Sequence, residues 1–141
     1  MTQFLPSSAR RRMLTAVVLT GGLIAGVTAT AAPAAAKCAP GPSCWGSVVA
    51  NPNTTAHGYA YNYVSGRAAN NAAQANCPGN CGLYVIFRNA CGAIAVGNNG
   101  VYGWAWNRSR ARARAAAVSN CRRYGSGCQL RVWSCTSYSR S

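Results

Sequence analysis

The chain has 141 residues, with 14 lysines and arginines, no aspartate or glutamate, and one histidine. The absence of carboxylate side chains excludes paired-carboxylate glycosidases, aspartic proteases and two-metal nucleases, and also ordinary calcium and magnesium sites. The histidine, His57, has no acid to complete a catalytic triad, and its place beside Gly58 at a predicted strand start favours a surface residue over a general base. We therefore expect a non-enzymatic protein with no catalytic residues, metal or cofactor.

Residues 1–36 have the pattern of a secretory signal peptide. Three arginines at 10–12 precede an uncharged, mostly apolar run over 14–32, and an A-x-A cleavage site ends at Ala36. Glycines interrupt the run and no basic stop-transfer flank follows it, so we expect cleavage and no transmembrane segment after processing. The arginines also fit a twin-arginine signal, which leaves the export route open. The expected location is extracellular or cell-wall associated.

The rest of the chain is predicted to be one duplicated domain. A Pro- and Gly-rich lead-in covers 37–43, the domain covers 44–135, and a short tail covers 136–141. Within the domain, GYAYN returns as GWAWN at an offset of about 45 residues, as do several alanines and cysteines, which predicts two repeats over about 44–91 and 92–135.

Each repeat reads strand, strand, helix, strand. In the first repeat these are WGSVVA, GYAYNYV, an Ala-rich helix with Ser65 as N-cap, and GLYVIF; in the second they are CGAIAV, VYGWAWN, a helix with Ser109 as N-cap, and QLRVW. The segments NPNTT and GNNG have hairpin-turn composition. We expect an α+β fold in which both repeats share one antiparallel sheet with both helices on one face.

All the cysteines lie beyond the predicted cleavage site: Cys38, Cys44, Cys77, Cys81, Cys91, Cys121, Cys128 and Cys135. An even count in a small exported domain predicts four disulfides, although spacing alone leaves their pairing open. Repeat symmetry leads us to pair residues 38 with 44, 77 with 81, 121 with 128, and 91 with 135. The alternative is a zinc site that uses the 77/81 and 121/128 thiolates.

Four aromatic residues alternate along the second strand of each repeat: Tyr59, Tyr61, Trp104 and Trp106. They are expected on one sheet face, with Ala60 and Ala105 on the other. We favour an interpretation in which these rings fill the core beneath the thin Ala-rich helices. The alternative places the helices over the alanines and leaves the rings as an exposed stacking surface.

Basic residues concentrate around the second helix: Arg108, Arg110, Arg112, Arg114, Arg122 and Arg123. Helical spacing places Arg110 and Arg114 on one flank and Arg112 on the other. The apolar stripe is expected at Ala111, Ala115 and Val118, between the two flanks. The helix is either an ordinary solvated face or an anion-binding patch.

Loss of the three leader arginines would leave eleven of the fourteen positive charges with no acidic side chain to pair with. An anionic partner is implied: a polymer, a lipid headgroup surface or an acidic protein. Nucleic acid also fits the charge but has no specific signal. We expect a secreted binding protein that engages an anionic surface or polymer through its arginines. The alternative is a secreted effector or inhibitor of one protein. The oligomeric state stays open.

The motifs W-G-x-V, G-Y-x-Y-N and G-W-x-W, with FRNACGAIA at Phe87 to Ala95, resemble the family of small secreted bacterial proteins called domain of unknown function 4189. The resemblance covers about residues 44–135 and implies export and a cysteine-bridged fold, with no established reaction. The helices carry Asn70, Asn71, Arg112 and Arg114 where acidic residues are expected, so the partner of a less basic relative does not transfer.

Overall fold

A computed structural model describes Cys38 and residues 43–139 of the chain. The predicted leader lies outside the described residues, as do most of the lead-in and the last two residues of the tail. The elements in chain order are β1 (Trp45–Ala50), β2 (His57–Tyr63), α1 (Gly66–Ala75), β3 (Leu83–Arg88), β4 (Cys91–Val96), β5 (Tyr102–Asn107), α2 (Arg110–Arg122) and β6 (Gln129–Cys135). A 3-10 turn at Asn98–Gly100 joins β4 to β5. The predicted strands, helices and α+β class are confirmed.

The strands form two antiparallel three-stranded sheets, with the orders β2-β1-β3 and β5-β4-β6. The expectation of one shared sheet is wrong. The reason lies in the central strands, because β4 is buried along its whole length and β1 along all but its first residue. A strand that is apolar on both faces needs cover on both sides, and a second sheet provides the cover that solvent cannot.

The two sheets pack face to face, and each carries one helix on its outer face. The inter-sheet core contains Val48, Val85, Phe87, Ile94 and Val132, together with smaller residues. Helix α1 packs on the first sheet, and α2 packs on the second. The two helices therefore lie on opposite sides of the molecule, and the prediction that both share one face is also wrong.

The predicted N-caps differ from each other. The Ser65 hydroxyl accepts a hydrogen bond from the Ala68 backbone N–H at 3.2 Å, so this cap is confirmed. Ser109 occupies the N-cap position of α2 but makes no side-chain capping bond. Its backbone N–H instead donates to Oδ1 of Asn107 at 2.9 Å, which leaves an Asx turn to direct the chain into the helix.

The eight cysteines form four disulfides: Cys38–Cys44, Cys77–Cys81, Cys91–Cys135 and Cys121–Cys128. These are the pairs predicted from repeat symmetry. The zinc alternative is wrong, because the thiolates that it requires are bonded to each other. Three of the disulfides close loops of at most seven residues, while Cys91–Cys135 spans 44 residues and joins β4 to β6 in register.

Helix α2 lies unusually close to β5 at Gly103. A Cβ atom added there would lie 2.5 Å from the carbonyl oxygen of Ala117 and would also meet the backbone nitrogen of Cys121. Both obstacles are backbone atoms, which cannot rotate away as a side chain would. The separation between the strand and the helix is therefore set by the absence of a side chain at this position.

Gly103→Ala is accordingly expected to lower the free energy of unfolding by about 3 kcal/mol, since it must push α2 off the sheet. Urea denaturation of the oxidised protein measures this. The matched control is Gly82→Ala, where an added Cβ meets nothing within 4 Å, and which should change stability by less than about 1 kcal/mol. Equal effects of the two substitutions would contradict the close-packing argument.

Candidate anion-binding surface

The six arginines singled out in the sequence are all exposed. Arg108 follows β5, three others lie in the first five residues of α2, Arg122 ends the helix, and Arg123 is its C-cap residue. Helix α2 thus carries positive charge at both ends and no acidic residue in its first turn. With no carboxylate side chain in the chain, each guanidinium group must find its counterion outside the molecule or stack on a ring.

The buried stripe of α2 consists of Ala113, Ala117 and Cys121, four residues apart. The predicted stripe is wrong, since Ala111 and Ala115 are exposed and Val118 is only half-buried. Alanines on several faces of the helix make the two registers equally apolar by sequence. The structure uses the register that buries Cys121 beside its disulfide partner and places alanines against Gly103 and Ala105.

Arg110 and Arg114 share one flank of α2, as helical spacing predicts, and both stack on Trp133 of β6. Their guanidinium carbons lie 5.5 and 5.3 Å from the centre of the indole ring. The ring face attracts each cation and orients its planar group, while the N–H edge stays available to an anion. Trp133 is 38% exposed and was not singled out in the sequence. Its signal was its position in β6, where an alternate-residue pattern places it beside the helix.

The opposite flank of α2 faces the free edge of β5. Nδ2 of Asn120 donates a hydrogen bond to the Trp104 carbonyl at 2.9 Å, and Asn76 of α1 donates in the same way to the Tyr59 carbonyl at 3.1 Å. These asparagines satisfy backbone carbonyls that an edge strand would otherwise present to solvent. Beside this contact, Arg123 lines an open cleft of about 700 Å³ together with Tyr102, Trp104, Asn120 and Tyr124.

The aromatic residues that alternate along β2 and β5 are exposed: Tyr59, Tyr61, Trp104 and Trp106. The favoured interpretation of these rings as core is wrong, and the alternative is the observed arrangement. Ala60 and Ala105 are buried beneath the helices. The residues of β2 and β5 that face the helices include these alanines, so the rings alternate onto the other face, and the core between the sheets is filled without them.

Tyr102 extends the exposed row on β5 by one more position, and Tyr124 adds a ring at the end of α2. Sequence reasoning missed both, although Tyr102 continues the period of two that Trp104 and Trp106 define. His57 is exposed, and its Nδ1 lies 2.9 Å from the Thr55 carbonyl. It lines a smaller cleft of about 400 Å³ with Tyr59 and Tyr61.

Neither a metal site nor a membrane helix emerges from the part of the chain that the structure describes. No three histidine or cysteine side chains lie together there in a way that could hold a metal ion. Over the same residues, none of the helices has the length and apolar character needed to cross a membrane.

Comparison with known proteins agrees with the resemblance noted in the sequence. The NMR structure of Rv1813c from Mycobacterium tuberculosis is similar to this fold, with a TM-score of 0.51 and 20% sequence identity, over 92% of this chain and 99% of that chain. At this identity the similarity concerns the fold alone. No curated protein matches the sequence. The model of a family described as a domain of unknown function, DUF4189, matches residues 45–135, and the chain therefore belongs to the DUF4189 family.

Proposed function

We propose that this protein is an exported, non-catalytic binding protein that engages anionic polymers or surfaces through the arginines around α2. One observation carries the proposal: six exposed arginines flank or lie on one helix in a chain that has no aspartate or glutamate. Uncompensated fixed charge of this density attracts polyanions and releases their condensed counterions on binding.

The contacts around Trp133 support this function over an ordinary solvated helix. Two guanidinium groups of like charge stack on one indole ring without any carboxylate between them. The ring holds both groups in place before a ligand arrives, so an anion that bridges them meets oriented donors.

Four disulfides support an oxidising compartment, in agreement with the predicted leader and with an extracellular or cell-wall location. The duplication that we infer from sequence is supported by the element order, which is strand, strand, helix, strand in both halves. In each sheet the middle strand is the one that comes first in its half of the chain, β1 in the first sheet and β4 in the second.

A second candidate is an effector or inhibitor that binds one acidic protein. Exposed tryptophans beside arginines favour it, because these residue types dominate the energetics of protein interfaces. The two candidates differ in salt dependence: polyanion binding weakens steeply with salt, whereas a compact protein interface survives moderate salt.

The test measures the affinity of the oxidised protein for fluorescein-labelled dextran sulfate across a salt series. We expect the logarithm of the association constant to fall linearly with the logarithm of salt concentration. The variant Arg110→Ala/Arg112→Ala/Arg114→Ala should reduce that slope by about two to three.

The matched control removes the same charge elsewhere, through Arg67→Ala/Arg88→Ala/Arg131→Ala, and should keep most of the slope. Salt-insensitive binding, or equal losses in the two triple variants, would overturn the proposal that the α2 arginines form the binding surface.

A further inference from the structure

Three aromatic side chains form a row along one face of β5. Tyr102, Trp104 and Trp106 are 42%, 52% and 59% exposed, and the residues between them, Gly103 and Ala105, face α2. Alternate residues of a strand are about 6.8 Å apart. The equivalent pair on β2, Tyr59 and Tyr61, has ring centroids 6.5 Å apart. We call Tyr102, Trp104 and Trp106 the β5 ring row.

Two concave surfaces meet at this row. Tyr102 and Trp104 line the large cleft beside α2, and they also line a cleft of about 190 Å³ that is bordered by Leu83 and Tyr84 of β3. The rings therefore stand between two grooves and are accessible to a ligand that lies along the strand. Rings lying flat on a surface without clefts would not offer this access to their faces.

One arginine at the end of α2 borders the cleft beside the β5 ring row, and helical spacing puts a second in line with it. Arg123 lines the large cleft. Arg112 precedes it by eleven residues, which is close to three helical turns, so the two arginines lie on one line about 16 Å long. The ring row spans about 14 Å. Arg110 and Arg114 lie on the opposite flank, against Trp133.

The chemistry of this surface selects its ligand. The large cleft offers aromatic faces, one guanidinium, asparagine amides and tyrosine hydroxyls, but no carboxylate to accept hydrogen bonds from sugar hydroxyls. Rings repeated along a strand, with cations beside them, match bases that stack in succession and phosphates that follow at the side. A second copy of this chain is disfavoured, because it would bring two strongly positive surfaces together.

We propose that the β5 ring row and the Arg112–Arg123 line bind single-stranded nucleic acid, with about three nucleotides on the rings and their phosphates toward α2. The inference deepens the proposed anion-binding function and rests on it. Duplexes are excluded from this mode because their bases are already stacked on each other. Binding should be tolerant of sequence, since every base has a face that can stack.

The first experiment compares two ligands of equal charge: a twelve-residue oligothymidylate and an abasic phosphodiester of the same length. We expect the oligothymidylate to bind at least about tenfold more tightly, because only it can stack on the rings. In a Trp45→Phe/Trp133→Phe background, which retains only Trp104 and Trp106, it should also quench tryptophan fluorescence. Equal affinities for the two ligands would overturn the inference while the proposed anion binding stands.

The second experiment changes the rings. Trp104→Ala/Trp106→Ala should weaken oligothymidylate binding about tenfold to a hundredfold and leave abasic binding within about twofold. Tyr59→Ala/Tyr61→Ala is the matched control, because α1, the helix packed beside β2, carries only one arginine, Arg67, and it should have little effect. The comparison of ligands on the unaltered protein decides the question even if a ring variant folds poorly.

The third experiment removes two charges from either flank of α2. Arg112→Ala/Arg123→Ala should weaken oligothymidylate binding several-fold more than Arg110→Ala/Arg114→Ala does. Equal losses would overturn the assignment of the phosphate path. If the protein binds dextran sulfate more tightly than oligothymidylate, and this binding depends on Trp104 and Trp106, the ligand of the β5 ring row is a polysaccharide and the nucleic-acid inference is overturned. Absence of binding to every polyanion would overturn the inference and the proposed function together.

Discussion

Phe87→Ala is expected to lower the free energy of unfolding by about 3–5 kcal/mol, the range for loss of a buried aromatic ring. Phe87 is 2% exposed and lies in the core between the two sheets. Its ring fills the space left by two glycines, one on each sheet: a Cβ added at Gly46 or Gly92 would lie 2.5 Å from a ring carbon. Removal of the ring leaves a cavity that neither glycine can fill.

Urea denaturation of the oxidised protein measures this loss, and a double-mutant cycle identifies its cause. Gly92→Ala alone should destabilise the protein, because its methyl group collides with the ring. In the Phe87→Ala background the same methyl group enters the cavity, so its cost should fall by about 1 kcal/mol or more. Additive effects of the two substitutions would show that the ring does not occupy the space between the glycines.

Replacement of Cys91 and Cys135 by alanine is expected to cost about 4 kcal/mol, the largest loss among the four disulfides. The reason is loop length, because this bond spans 44 residues and restricts the unfolded chain most. It also joins the buried central strand β4 to β6, the strand that carries Trp133.

The control is removal of Cys77–Cys81, which spans four residues and should cost about 2 kcal/mol by the same reasoning. Thermal unfolding of both variants beside the unaltered protein measures the difference. If the two losses are equal, or if their order is reversed, loop length does not govern the stabilisation.

A large part of the scaffold could be predicted from sequence because its signals are local. The alternation in GYAYNYV and QLRVW, the serine before α1 and the turn composition of NPNTT each concern a few neighbouring residues. The disulfide pairs were predicted from repeat symmetry, which makes Cys77–Cys81 equivalent to Cys121–Cys128, whereas spacing alone left them open.

The candidate site was only half predictable. Charge identified the arginines and helical spacing placed Arg110 and Arg114 together. The alternation in β6 puts Trp133 on one face of its strand, but only the packing of β6 beside α2 brings its ring to these arginines. The buried face of α2 was not predicted correctly, because its alanines form two apolar stripes of equal size. Contact with Gly103 and the disulfide at Cys121 decided between them.

By itself, the sequence determined the strands and helices, the even number of cysteines from which repeat symmetry predicted the disulfides, and the sign of the charge. The tertiary structure decided how the two halves meet: as facing sheets with helices outside, not as one continuous sheet. That choice depends on the burial of both faces of β1 and β4: each segment is apolar enough to need cover on both sides, but which elements supply the cover depends on contacts between distant parts of the chain. It also placed the helices over Ala60 and Ala105, and for this reason the aromatic rings of β2 and β5 are on the surface instead of in a core beneath the helices.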